Sequence, residues 1–71
     1  MNTIDISGEE YCAFPAALHD AAKGDRIIYH TGTHCSGPHK RAASVAADAG
    51  LCLLFCRKVR DGVFEYLAVK R

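Results

Sequence analysis

The sequence predicts a small α+β domain over residues 1–71: an N-terminal helix, a strand, a second helix and a C-terminal β-hairpin, with the strands forming a three-stranded antiparallel sheet. Three observations carry this expectation. Two strand-like runs, Leu51–Arg60 and Val63–Lys70, are separated by Asp61-Gly62 alone, the dipeptide preferred in two-residue hairpin loops. The β-branched and aromatic run Arg26-Ile27-Ile28-Tyr29-His30 is bounded by Gly24-Asp25 and by Gly32, as strands are. An alanine-rich stretch, His39–Ala49, lies between Pro38 and Gly50, which suit the first turn and the end of a helix.

Taken in chain order, Ile4 and Ile6 alternate with polar residues, so Thr3–Ile6 reads as a short strand. Ser7-Gly8-Glu9-Glu10 has the form of a capping box, with Ser7 as N-cap. Tyr11, Phe14, Leu18 and Ala21 follow at helical spacing, and Gly24 suits the left-handed position after a helix. Pro15 either kinks this helix or marks its true start. In the second helix Ala42, Val45, Ala46 and Ala49 make the expected apolar side, with Lys40, Arg41, Ser44 and Asp48 facing away. A type I′ turn at Asp61-Gly62 sets Arg60 opposite Val63, Lys58 opposite Glu65, Cys56 opposite Leu67 and Leu54 opposite Val69. Both faces of the hairpin are then apolar near its base, which calls for the N-terminal segment or a partner to cover the second face.

A chain of 71 residues is one domain with a thin core, of the size that gains from a metal, disulfides or a dimer contact. Its 49% hydrophobic and 24% charged residues exclude a disordered chain. No apolar run approaches the roughly 18 residues that span a bilayer, and residues 1–20 lack a basic start followed by an apolar block. The expected compartment is the cytoplasm, where thiols stay reduced. Cys12, Cys52 and Cys56 are then simplest as small buried hydrophobes. The net charge of +1 divides unevenly: residues 1–37 carry −3, and residues 38–71 carry +4 through Lys40, Arg41, Arg57, Lys58, Arg60, Lys70 and Arg71 against Asp48, Asp61 and Glu65. A basic half of this kind is a candidate nucleic-acid footprint.

The loop His30-Thr31-Gly32-Thr33-His34-Cys35-Ser36-Gly37-Pro38-His39 concentrates three histidines and a cysteine. As a zinc site it offers His30, His34, Cys35 and His39, but Cys52 and Cys56, four apart on a strand, stand roughly 13 Å from each other and cannot join one ion. As a catalytic pair, Cys35 has candidate histidines but no Asp or Asn evidently placed to orient them. The favoured reading is a turn-forming loop, with no cofactor and no enzymatic activity.

"GDRIIYHTG" (Gly24–Gly32) and "GLCLLFCRKVRDGVFEYLAVKR" (Gly50–Arg71) resemble a group of small, functionally uncharacterised phage and prophage proteins, over residues 6–32 and 41–71. The element order is similar to that of a winged helix-turn-helix domain, with His39–Ala49 in the recognition-helix position and the Asp61-Gly62 hairpin as the wing; only Thr33–Gly37 is left for the middle helix. The resemblance implies a DNA-binding regulator in which Lys40, Arg41 and Ser44 face the major groove and Arg57, Lys58 and Arg60 reach phosphates. The alternative is a monomeric or homodimeric accessory module that binds a host or phage protein through an apolar sheet face, with Phe55, Phe64, Tyr66 and Arg57 as its anchors. A zinc-stabilised mini-domain stands third.

Overall fold

The computed structural model describes residues 2–9, 13–34, 37 and 39–71. Along the chain come β1 (Thr3–Asp5), α1 (Ala13–Asp20), β2 (Arg26–Gly32), α2 (Lys40–Asp48), β3 (Cys52–Arg60) and β4 (Val63–Lys70). The strands lie in the order β1-β2-β4-β3. β1 runs parallel to β2, while β4 is antiparallel to both β2 and β3. The expected three-stranded antiparallel sheet is therefore replaced by a four-stranded mixed one, because Thr3–Asp5 adds to the edge of β2 through the α1 crossover. No described helix is long and apolar enough to cross a membrane.

Both helices lie on one face of the sheet and share one core. Phe14 and Leu18 from α1 meet Ala43 and Ala46 from α2 over Ile27, Tyr29, Cys52 and Ala68. Phe14 stands edge-on to Tyr29, with ring centroids 5.7 Å apart at 85°, the arrangement that sets a positive ring edge on a negative face. A bulge between Ile28 and His30 leaves Tyr29 as the extra residue of β2, which re-aims the chain at this point.

The helix ends show which local signals hold. α1 is described over Ala13–Asp20 and includes Pro15; the choice between a kink at Pro15 and a start there falls on residues 10–12, which lie outside the described residues. Ser7 does not cap α1. Its backbone N–H and its hydroxyl both donate to Asp5 Oδ1, at 2.9 and 2.7 Å, in a turn that ends β1; Glu10 and Tyr11 lie outside the described residues. α2 ends as its glycine predicts. Gly50 has φ +79°, its N–H donates to Ala47 O, and the Leu51 N–H donates to Ala46 O. This is the paired Schellman closure.

The buried side of α2 differs from expectation. It is Ala43 and Ala46, with Ala42 and Ala47 partly buried, while Val45 and Ala49 are exposed. In a run of alanines the side chains are too uniform to mark a face, and the orientation follows His39, which is fully buried one position before the helix.

The hairpin register also departs from expectation. Arg60 does face Val63, but Lys58 faces Phe64, Arg57 faces Glu65, Cys56 faces Tyr66 and Leu54 faces Ala68. The register shifts between Lys58 and Arg60, leaving Val59 as an extra residue in β3. The turn explains this. Gly62 has φ +75°, and no described non-glycine residue has positive φ, so the turn is not type I′, which needs positive φ at both central positions. Positive φ at the second position alone has the φ signs of a type II turn, whose twist does not match that of the strands. A one-residue slip moves a strand's partners to the other face, so Glu65, Leu67 and Val69 share a side with Arg57, Phe55 and Leu53 rather than with Cys56 and Leu54.

Asp25 ties the sheet edge to the end of α1. Its buried carboxylate accepts from the backbone N–H of Asn2 at 3.0 Å and of Ala22 at 2.9 Å. These two bonds, Asn2 first, hold its pKa below the ordinary 3.8. A depressed carboxyl contributes stability above its unfolded pKa, and that contribution is lost as pH falls through the folded one. Asp25→Asn is therefore expected to lower the urea midpoint at pH 7. The gap to wild type should narrow once the pH drops below 3.8, and a gap independent of pH would assign the effect to packing.

Candidate functional site

The helices leave the other face of the sheet open. Residues paired in register share a face, which sets Leu53 with Val69, Phe55 with Leu67 and Arg57 with Glu65, and continues through Arg26 and Ile28 of β2. Ile28 and Leu67 are buried yet lie outside the core under the helices. Leu53 is 47% exposed and Phe55 50% exposed. Arg26, Phe55, Arg57, Leu67 and Val69 line a shallow depression of about 290 Å³ here. At its margin Arg57 is neutralised by Glu65, which accepts from Nε at 3.1 Å and from Nη2.

This arrangement follows from the sequence. Ile27-Ile28-Tyr29 in β2 and Leu53-Leu54-Phe55 in β3 are consecutive apolar residues, a pattern that belongs to strands buried on both faces. The N-terminal segment does not provide the second cover, since it adds beside β2 as β1. Of the three aromatic anchors expected on one surface, Phe55 stands on the open face. Phe64 and Tyr66 are half-buried and share the other side with Lys58 and Cys56.

The six expected DNA contacts are divided. Lys40, Arg41 and Ser44 are exposed on α2. Arg57 lies across the sheet from them, paired with Glu65. Lys58 Nζ meets Asp61 Oδ1 at 3.1 Å beside the turn, and Arg60 is exposed at the strand end.

The histidines of the loop are likewise dispersed in environment. His30 is half-buried, with its ring 5.9 Å from that of Tyr66. His34 is exposed and 3.1 Å from Thr33 Oγ1. His39 is fully buried, and neither ring nitrogen has a hydrogen-bond partner among the described residues. Cys35 and Cys12 lie outside the described residues, among which no group of three His, Cys, Asp or Glu is placed to hold a metal ion. Cys52 is a buried hydrophobe whose thiol pKa is pushed up by desolvation, but Cys56 is exposed, contrary to expectation, because β3 runs out past the helices.

The orphaned imidazole leads to a prediction. A buried polar group without a partner costs about 1–3 kcal/mol, so His39→Leu is expected to raise the denaturant midpoint. A fall in stability, together with sensitivity of the wild type to a chelator, would assign the ring to a metal instead.

Together these features define a two-layer α+β domain with one sheet face uncovered. The chain matches no protein family, no curated protein and no solved structure.

Proposed function

We propose that this protein is a non-enzymatic protein-interaction module whose open sheet face is covered by a second copy of the chain. The observation that carries this reading is Phe55, half exposed beside Leu53 on a face whose floor, Ile28 and Leu67, is otherwise buried. A strand apolar on both sides gains from a second layer about 10 Å above it, and a core this thin gains from oligomerisation. The partner is a copy because Glu65 already neutralises Arg57, one of the two arginines on this face, which reduces the like charge opposing self-association. The phage or host protein of the alternative reading would compete for the same face.

Sedimentation across a concentration series tests the reading. It is expected to give a reversible dimer, with amide shifts in β3 and β4 tracking the dimer fraction. A chain that remains monomeric at millimolar concentration overturns self-association.

A second reading is duplex DNA bound across α2 and the hairpin in the winged-helix manner. It is favoured by the exposure of Lys40, Arg41 and Ser44 along one helix. It predicts salt-sensitive amide shifts in α2 with random duplex. It draws less on Arg57 and Lys58, each engaged by an acid.

A further inference from the structure

On the opposite side of the molecule, α1 and α2 enclose a groove of about 640 Å³ that reaches the end of β4. Its floor is apolar and buried, formed by Phe14, Leu18 and Ala46. Val45, 61% exposed, and Leu51, 54% exposed, stand along it. The groove exists because α2 meets α1 with Ala42, Ala46, Ala49 and Gly50, which are too small to fill the space. Its volume falls within the range of small-molecule sites.

Arg41, Lys70 and Arg71 line the groove, and no described Asp or Glu side chain does; His19, also in the lining, has its ring Nδ1 3.3 Å from Asp20 Oδ1. Lys70 Nζ donates to the backbone carbonyl of Leu18 at 2.6 Å, holding its ammonium at the C-terminal end of α1. Arg41 and Arg71 form no ion pair among the described residues. An apolar trough with unpaired guanidinium groups at its margin matches a ligand with an apolar body and an anionic head.

We infer that this groove binds an amphiphilic carboxylate, such as an unbranched fatty acid, with the acyl chain along Phe14, Leu18 and Ala46 and the carboxylate at Arg41. A purely apolar ligand gains nothing from the arginine, and a cationic amphiphile meets its repulsion. The site lies on the far side of the sheet from Phe55, so it stands independently of the self-association proposed above.

The test uses three probes of equal chain length below their micelle concentrations: dodecanoate, dodecan-1-ol and dodecyltrimethylammonium, each titrated into the protein and followed by amide shifts. Dodecanoate is expected to bind saturably and to shift Val45, Ala46, Ala49 and Leu51, with the cationic probe at least about tenfold weaker. Arg41→Gln is expected to weaken dodecanoate about tenfold, the loss of one charge-assisted contact, while leaving dodecan-1-ol unchanged. Val45→Asp, at an exposed position, is expected to abolish dodecanoate binding without unfolding the chain. Equal affinity for all three probes, shifts confined to β3 and β4, or no saturable shift with dodecanoate would each overturn the inference. In the last case an acidic amphipathic helix of a partner protein becomes the occupant to examine.

Discussion

Phe14→Ala is expected to leave the chain largely unfolded at room temperature. Phe14 is 0% exposed and stands at the junction of both helices with the sheet. Truncating a buried phenylalanine costs about 3–5 kcal/mol, from lost transfer energy and the cavity left behind. A single core in a chain below about 80 residues rarely supplies more than 3–5 kcal/mol in total, so the loss is comparable to the whole. The neighbours cannot collapse into the space, because Ala43 and Ala46 have no further atoms to offer and Tyr29 is held by its own bulge. Far-ultraviolet dichroism against urea reads the result. Phe14→Leu, which keeps most of the volume, should restore a cooperative transition at a lower midpoint. If Phe14→Ala instead melts cooperatively near wild type, the core is not organised around this ring.

Phe55→Asp is expected to disperse the proposed dimer while leaving the fold intact. The side chain is half exposed on an edge strand, so an aspartate there can remain hydrated in the monomer. Against a second apolar sheet the same carboxylate must be desolvated with no partner, and removal of an aromatic anchor from an interface typically costs about 2 kcal/mol or more. That corresponds to a dissociation constant raised roughly 30-fold. Sedimentation should show the change, with an unaltered urea midpoint extrapolated to the monomer. Arg60→Ala, beside the turn, should leave the dimer as it is. A dimer indifferent to Phe55→Asp would place the contact elsewhere and return the open face to solvent.

The elements were readable because each is announced locally. The alanine-rich run before Gly50 announces α2, the run from Arg26 to His30 marks β2, and Asp61-Gly62 divides β3 from β4; Pro38 lies outside the described residues. What sequence reasoning missed depends on contacts distant along the chain. Nothing in Thr3–Asp5 says that it lies beside β2 in parallel, and the bulge at Val59 depends on the φ of Asp61, which the dipeptide does not dictate. The open face is partly visible, since Phe55 and Arg57 are expected on one face, but the one-residue slip sets Leu67 and Glu65 beside them in place of Phe64 and Tyr66. The groove gave no signal, because a site made by the smallness of alanines resembles ordinary helix-forming sequence. The burial of His39 was equally hidden, the residue type being more often exposed or half-exposed than fully enclosed.

The position of β4 bears on how the protein is made. β2 and β3 touch only through it, yet it follows both in the chain. As the polypeptide emerges from the ribosome, β2 and β3 have no mutual hydrogen bonds to form, and both helices wait over an unfinished surface. Pairings that close over long stretches of chain are slow to nucleate, and the antiparallel part of the sheet assembles only when Val63–Lys70 slots into the gap between β2 and β3. Until that moment the apolar runs of β2 and β3 are exposed together, and the interval between their synthesis and the arrival of β4 is when the nascent chain is most open to capture by chaperones or to aggregation.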